Sequence, residues 1–166
     1  DRQGNVTTGI YANRTHEIIP MKECKIQHPV SEFIAKLVVN FLNENHISAY
    51  QEQTGKGLFR HIVIKIGIST KEVMCVLVIN EEDFPKEREL VEYILQNFEK
   101  ENSEYVIKTI VKNINTKNTN VILGNKNIIL YGDGYIYDKL GEYTFKISPM
   151  SFYQINPVQT EVLYSK

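Results

Sequence analysis

The spacing of apolar residues predicts two amphipathic helices. In the first, seven apolar residues recur at three- and four-residue steps and therefore share one helical face: Val30, Phe33, Ile34, Leu37, Val38, Phe41 and Leu42. Pro29 suits the first turn of this helix, and Asn45 can end it in the left-handed conformation. A second helix begins near Asp83 and Pro85, and its apolar stripe consists of Leu90, Val91, Ile94, Leu95 and Phe98.

Alternating and continuous apolar runs predict the strands. Isoleucines at every second position from Ile62 to Ile68 indicate a strand with one buried and one solvated face. Residues 73–79 are apolar throughout, which is typical of a central strand, here antiparallel to its predecessor. The remaining predicted strands are a hairpin or two short strands within 6–20, a strand at 105–114, and a meander through 128–131, 135–140 and 143–147.

This order of elements predicts the fold class. Helix, two strands, helix and then several strands is not the repeated βαβ order of a doubly wound sheet. We therefore expect an α+β fold, with an antiparallel sheet, two main helices packed on it and an N-terminal hairpin. The residues from 157 onward begin a further helix that stops after about two turns. We expect a truncated C-terminal helix that enters another domain; the alternative is a frayed natural terminus.

Composition and charge narrow the class of protein. No apolar run approaches the ~20 residues that cross a bilayer, and two cysteines suit a reducing compartment. We therefore expect a cytoplasmic protein with no membrane association. The net charge of −1 conceals an asymmetry, because residues 81–104 carry nine acidic and three basic groups. The basic remainder is compatible with phosphate contacts, although a solvated acidic helix explains the charge pattern more simply.

Few residues have the spacing that a nucleophilic, metal-binding or nucleotide-binding site requires. Cys75 lies in the apolar run 73–79 and should be an inert core thiol. Cys24 lies in a polar loop, without a partner at metal-ligand spacing. The four histidines show no metal-binding spacing, and no dinucleotide or P-loop motif occurs. From spacing alone, the sequence shows no complete catalytic apparatus of its own.

The segment 145–157 differs in character. Aromatic rings such as Phe152 can stack on a base, and the amides of Gln154 and Asn156 can bond donors and acceptors of a ligand. The alternative is that Phe152 and Tyr153 fill the core beneath the last strand.

Four stretches in order resemble the RNA uracil-C5 methyltransferases, the S-adenosylmethionine-dependent enzymes that act on ribosomal and transfer RNA. Residues 147–164 are similar to the family segment that leads into the methyltransferase domain. The other three stretches are Gly9-Ile10-Tyr11-Ala12 with the following residues to His28, Leu58-Phe59-Arg60-His61, and the run from Asn118 to Gly124. The ribosomal RNA type is the more similar one.

The resemblance implies a domain organisation. In the family, a β-barrel RNA-binding domain precedes this region and a Rossmann-like cofactor domain, which holds the catalytic cysteine and the general base, follows it. We therefore expect residues 1–28 to form N-terminal strands and a loop that carries Cys24, 29–148 a central α+β domain, and 149–166 a linker and the start of the methyltransferase domain. We expect the chain itself to be catalytically inactive and to position RNA. The protein should be a monomer, and its RNA partner should be ribosomal RNA.

The resemblance also assigns roles to single residues. Gln154 matches a glutamine that contacts S-adenosylmethionine, and Phe152 lies beside the target base. Cys24 matches the last of four cysteines that hold an iron–sulfur cluster in many members, so a [4Fe-4S] cluster is expected only in the full-length protein.

Further RNA contacts are expected from four residues: Arg60, His61, Asn120 and Asn156. For Arg60 a structural salt bridge is an equally good interpretation. The alternative for the whole chain is a stand-alone RNA-binding module without enzymatic activity; a scaffold domain without a ligand is a third hypothesis.

Overall fold

The computed structural model describes residues 5–12, 18–20, 27–102, 104–153 and 157–164. The helices in this part of the chain are α1 (Pro29–Glu44), α2 (Glu87–Glu101) and α3 (Pro157–Tyr164). The strands are β1 (Gly9–Tyr11), β2 (Ile18–Pro20), β3 (Phe59–Ile66), β4 (Glu72–Ile79), β5 (Val106–Ile114), β6 (Lys126–Gly132), β7 (Ile136–Leu140) and β8 (Tyr143–Ile147). None of the described helices is long and apolar enough to cross a membrane.

The main sheet has four strands in the order β3-β4-β5-β6. The α+β class is confirmed, and so is the antiparallel pairing of β3 with β4. The sheet is mixed, however, because β4 and β5 run parallel. The helix α2 explains the parallel pairing. It returns the chain to the end of the sheet where β4 begins, so β5 runs in the same direction as β4.

The predicted meander is wrong in its pairing. Strand β6 pairs with β5, whereas β7 and β8 form a separate antiparallel pair. Ile136 and Ile147 of this pair are buried against Met74, Val76 and Val78 of β4. The β7–β8 hairpin therefore covers one face of β4, which explains why that strand is apolar on both faces.

Helices α1 and α2 cover the opposite face of the sheet. Their apolar stripes meet the alternate residues of β4, with Ile34, Leu90 and Ile94 fully buried beside Leu77. The helix α1 begins at Pro29 as predicted, and the His28 side chain caps it by accepting the Val30 N–H at 3.3 Å.

The end of α1 differs from the prediction by one residue. Asn45 has φ −100°, and the left-handed residue is the next one, His46, with φ 53°. The N-terminal hairpin is confirmed, since β1 and β2 pair antiparallel.

Candidate functional site

Strand β3 directs two polar side chains to the face of the sheet that the helices do not cover. Ile62, Ile64 and Ile66 pack against the helix side, whereas Val63 packs against the cluster that includes Tyr153. Because side chains alternate along a strand, His61 and Lys65 project to the same face as Val63. This face therefore lies beside the chain segment that follows β8.

Lys65 holds that segment in a turn. Its Nζ donates to the backbone carbonyl of Ser148 at 3.0 Å and to that of Ser151. Inside the turn, the Ser148 N–H donates to the Ser151 hydroxyl at 3.1 Å, and the two hydroxyls lie 2.8 Å apart. Burial lowers the pKa of the Lys65 ammonium. A half-buried cation thus fixes residues 148–151, which we call the Lys65 turn.

Asp138 holds the other end of the segment. This residue of β7 is fully buried, and its carboxylate accepts the Tyr153 hydroxyl at 3.0 Å and the Ser69 N–H at 2.9 Å. The Tyr153 ring also packs 6.1 Å from the ring of Phe145, between centroids. Tyr153 therefore anchors the segment to the hairpin, as the core-filling alternative predicted.

Phe152 lies between these two anchors and points outward. Its side chain is 86% exposed, so it does not fill the core. A ring on a segment held from both sides is presented in a restricted set of positions. Such a ring can offer a face to a planar ligand at low cost in conformational entropy.

The Tyr153 contact predicts a fall in stability at alkaline pH. Burial, together with the hydrogen bond to Asp138, raises the pKa of Tyr153 from 10.0 to about 12. The unfolded chain ionises first, so this contribution is complete below pH ~10 and is lost as the pH rises towards 12. We expect the urea midpoint of the wild type to fall more between pH 9 and pH 11.5 than that of Tyr153→Phe. Equal slopes in the two proteins would contradict the assignment.

Two of the predicted RNA-contact residues meet in one cleft. Arg60 and Asn120 lie in a depression of about 230 Å³, which we call the polar cleft. Its other lining residues are Glu52, Gln53, Asn118 and Thr119. The cleft lies where β4 and β5 end, and the Asn115 N–H ties these strand ends together by donating to the Ile79 carbonyl at 2.8 Å.

Arg60 stabilises the wall of the polar cleft. Its Nη1 donates to the carbonyls of Asn115 and Lys117, both at 2.8 Å, and its guanidinium lies 4.1 Å from the centroid of the Tyr50 ring. The Arg60 Nε is buried without a hydrogen-bond partner among the described residues. These contacts give Arg60 a structural role in holding the loop at 115–117.

His61 is half-buried beside Arg60. Burial lowers its pKa, and the positive charge of Arg60 lowers the pKa further, against a smaller opposing effect of Glu52. The imidazole is therefore neutral at pH 7 and adds no positive charge to this face.

Three predicted site residues, Cys24, Gln154 and Asn156, lie outside the described residues, so their roles stay predictions. Cys75 is fully buried, and burial raises its pKa to about 12, in line with an inert core thiol. The described residues hold no group of three or more metal-ligating side chains. Since the chain has two cysteines and Cys75 is buried, it would bring at most Cys24 to a cluster ligated by four, and the cluster stays a prediction for the full-length protein.

Comparison with known proteins gives the context of this site. The chain matches no protein-family model. It is 46% identical over 159 residues to an uncharacterized RNA methyltransferase of Caldanaerobacter subterraneus subsp. tengcongensis, a match that covers 96% of the chain and 34% of that protein. An uncharacterized RNA methyltransferase of Clostridium acetobutylicum is 43% identical, over 98% of the chain and 34% of its own length. The chain matches a segment of RNA methyltransferases.

A solved structure supports the fold. This is the tRNA (uracil-54, C5)-methyltransferase of Pyrococcus abyssi in complex with S-adenosyl-L-homocysteine, at a TM-score of 0.75 and 24% sequence identity. The alignment covers 97% of the chain and 37% of the Pyrococcus abyssi chain. The curated relatives confirm the predicted resemblance to RNA methyltransferases. The chain spans about a third of the length of the relatives that it matches.

Proposed function

We propose that this chain is the RNA-positioning central domain of an S-adenosylmethionine-dependent RNA uracil-C5 methyltransferase. The main support is the match to RNA methyltransferases along 96% of the chain at 46% identity. The specificity for C5 of uracil is supported by the motifs around Phe152 and by the named activity of the Pyrococcus abyssi protein with the same fold. S-adenosylmethionine would supply the methyl group, and Gln154 is the residue of this chain proposed to contact it.

The described geometry suits a positioning role. Phe152 is exposed between the Lys65 turn and the Tyr153 anchor, where its ring can stack on an unpaired base. The described residues bring no activated nucleophile near this ring, since the Cys75 thiol is buried and protonated. We propose that the chain holds and orients RNA and that the bond-making residues lie in another part of the protein.

This proposal is tested by nucleoside analysis. The full-length protein is incubated with RNA and S-adenosylmethionine labelled in the methyl group, and the RNA is digested to nucleosides. Separate reactions with ribosomal and transfer RNA identify the substrate. We expect the label in 5-methyluridine; label confined to another nucleoside, or no transfer to either RNA, would overturn the proposal.

Lys65 should influence RNA binding through Phe152. Lys65→Met removes both hydrogen bonds to the Lys65 turn while keeping the length of the side chain, so the segment that carries Phe152 loses one of its two anchors. We expect RNA affinity of the full-length protein to fall about tenfold, or ~1.4 kcal/mol, and Lys65→Arg to recover part of it. Affinity is measured by titration with labelled RNA.

A double-mutant cycle separates positioning from general destabilisation. In the Phe152→Ala background, Lys65→Met should cost less than twofold, because the ring through which it acts is absent. If the two losses simply add, Lys65 does not act through Phe152.

A further inference from the structure

The polar cleft carries hydrogen-bonding groups beyond those that hold its walls together. Its lining offers the amides of Gln53, Asn118 and Asn120, together with the Thr119 hydroxyl. One carboxylate, Glu52, and one guanidinium, Arg60, offset each other in charge. The volume of about 230 Å³ is several times the ~30 Å³ that a water molecule occupies in the liquid. The cleft therefore suits a neutral polar group larger than a single ion.

Arg60 is engaged in the wall of the polar cleft and is not the group that meets a ligand. Its Nη1 is committed to two carbonyls and its guanidinium lies over the Tyr50 ring, while its Nε is buried without a partner among the described residues. Because this Nε has almost no accessible surface, a ligand in the open cleft does not reach it. The exposed amides of Asn118 and Asn120 are therefore the groups that the cleft offers to a ligand.

We propose that the polar cleft receives the edge of an unpaired RNA base. The amides of Asn118 and Asn120 bond along that edge, and Arg60 supports the loop that precedes them through its bonds to the Asn115 and Lys117 carbonyls. Amide side chains match both the donors and the acceptors of base edges. A phosphate would instead bring its negative charge towards Glu52 in a cleft without net positive charge. The inference rests on the proposed function in taking RNA as the partner.

This site is distinct from the Phe152 segment. Arg60 stands near the start of β3 and Lys65 near its end, which places the two positions about 15 Å apart along the strand. RNA that reaches both positions must present unpaired bases at two separated points. The domain would then recognise a loop or a melted segment rather than a regular helix.

The test uses two probes of the full-length protein. The first is a short single-stranded RNA of mixed sequence, and the second is an abasic chain with the same number of phosphates. We expect Asn118→Ala and Asn120→Ala each to weaken binding of the first probe about fivefold and to leave binding of the second unchanged. The plot of affinity against salt should shift without a change in slope, because no phosphate contact is lost. Asn125→Ala, an exposed asparagine outside the cleft, is the matched control and should change neither.

Four outcomes would overturn the inference. Equal weakening on both probes, or a shallower salt dependence, would mean that the cleft binds phosphate. Unchanged affinity of both cleft variants for the first probe, or failure of the wild type to bind it, would mean that the cleft reads no base. Methyl transfer by the wild type is measured in parallel, since its absence would overturn the proposed function, whereas intact transfer with unaffected variants overturns the cleft assignment alone.

Discussion

Phe152→Ala is expected to weaken RNA binding by the full-length protein roughly thirtyfold while leaving its thermal unfolding unchanged. Stacking of an unpaired base on an aromatic side chain contributes about 1–3 kcal/mol, and a value near the middle gives this factor. The substitution should not change the melting temperature, because the Phe152 ring is 86% exposed and buries little apolar surface. The measurement is a titration with labelled RNA, accompanied by a thermal melt of each protein.

Two further variants at this position identify the kind of contact. Phe152→Tyr keeps an aromatic face and should retain affinity within about threefold, whereas Phe152→Leu keeps apolar bulk without that face and should resemble Phe152→Ala. If leucine restores binding, the contact is ordinary apolar packing. If alanine leaves binding unchanged, Phe152 does not contact RNA and the positioning role needs another residue.

Asp138→Ala should produce the largest loss of stability among the site variants, about 3 kcal/mol in the free energy of unfolding of the chain. The substitution removes a fully buried acceptor and leaves both the Tyr153 hydroxyl and the Ser69 N–H without a partner. Each donor left unsatisfied in the interior costs about 1–3 kcal/mol. Urea unfolding of the chain, monitored by circular dichroism, gives the difference.

Asp133→Ala is the matched control for this loss. Asp133 lies in the exposed turn before β7, so its removal should change the free energy of unfolding by less than about 0.5 kcal/mol. Asp138→Asn, which keeps an acceptor and adds a donor, should fall between the two. Equal effects of Asp138→Ala and Asp133→Ala would show that the buried carboxylate does not hold the segment.

Local spacing predicts the helices, the fold class and the pairing of β3 with β4. It does not predict the pairing of the later strands. The apolar stripes of α1 and α2 are visible within a few turns of sequence, because the helical period acts over three or four residues. The parallel pairing of β4 with β5 depends on where α2 delivers the chain, which no local pattern records. Glycine turns marked the ends of β6 and β7 correctly, yet a turn does not specify which strand lies beside which.

The candidate site shows the same division. The sequence predicts Arg60 and Asn120 as separate RNA contacts, and the fold brings them to one cleft across 60 positions of sequence. The sequence does not predict the role of Lys65, because alternation places this residue on a solvated face. Only the segment at 148–151, which returns from β8, covers that face. The carboxylate of buried Asp138 accepts from Ser69, which is remote in sequence, and from Tyr153, which follows the turn between β7 and β8. Contacts of this kind arise from tertiary structure and leave no periodic signal.

The measurement that tests the central claim most directly is release of tritium from C5 of uracil. RNA transcribed with uridine labelled at C5 is incubated with the full-length protein, with and without S-adenosylmethionine, because methylation at C5 must displace the hydrogen there. We predict release into water that depends on S-adenosylmethionine and is reduced by Phe152→Ala, and no release by the 166-residue chain alone. Methyl transfer to RNA without release of tritium would contradict the account, since the methyl group would then lie at another atom.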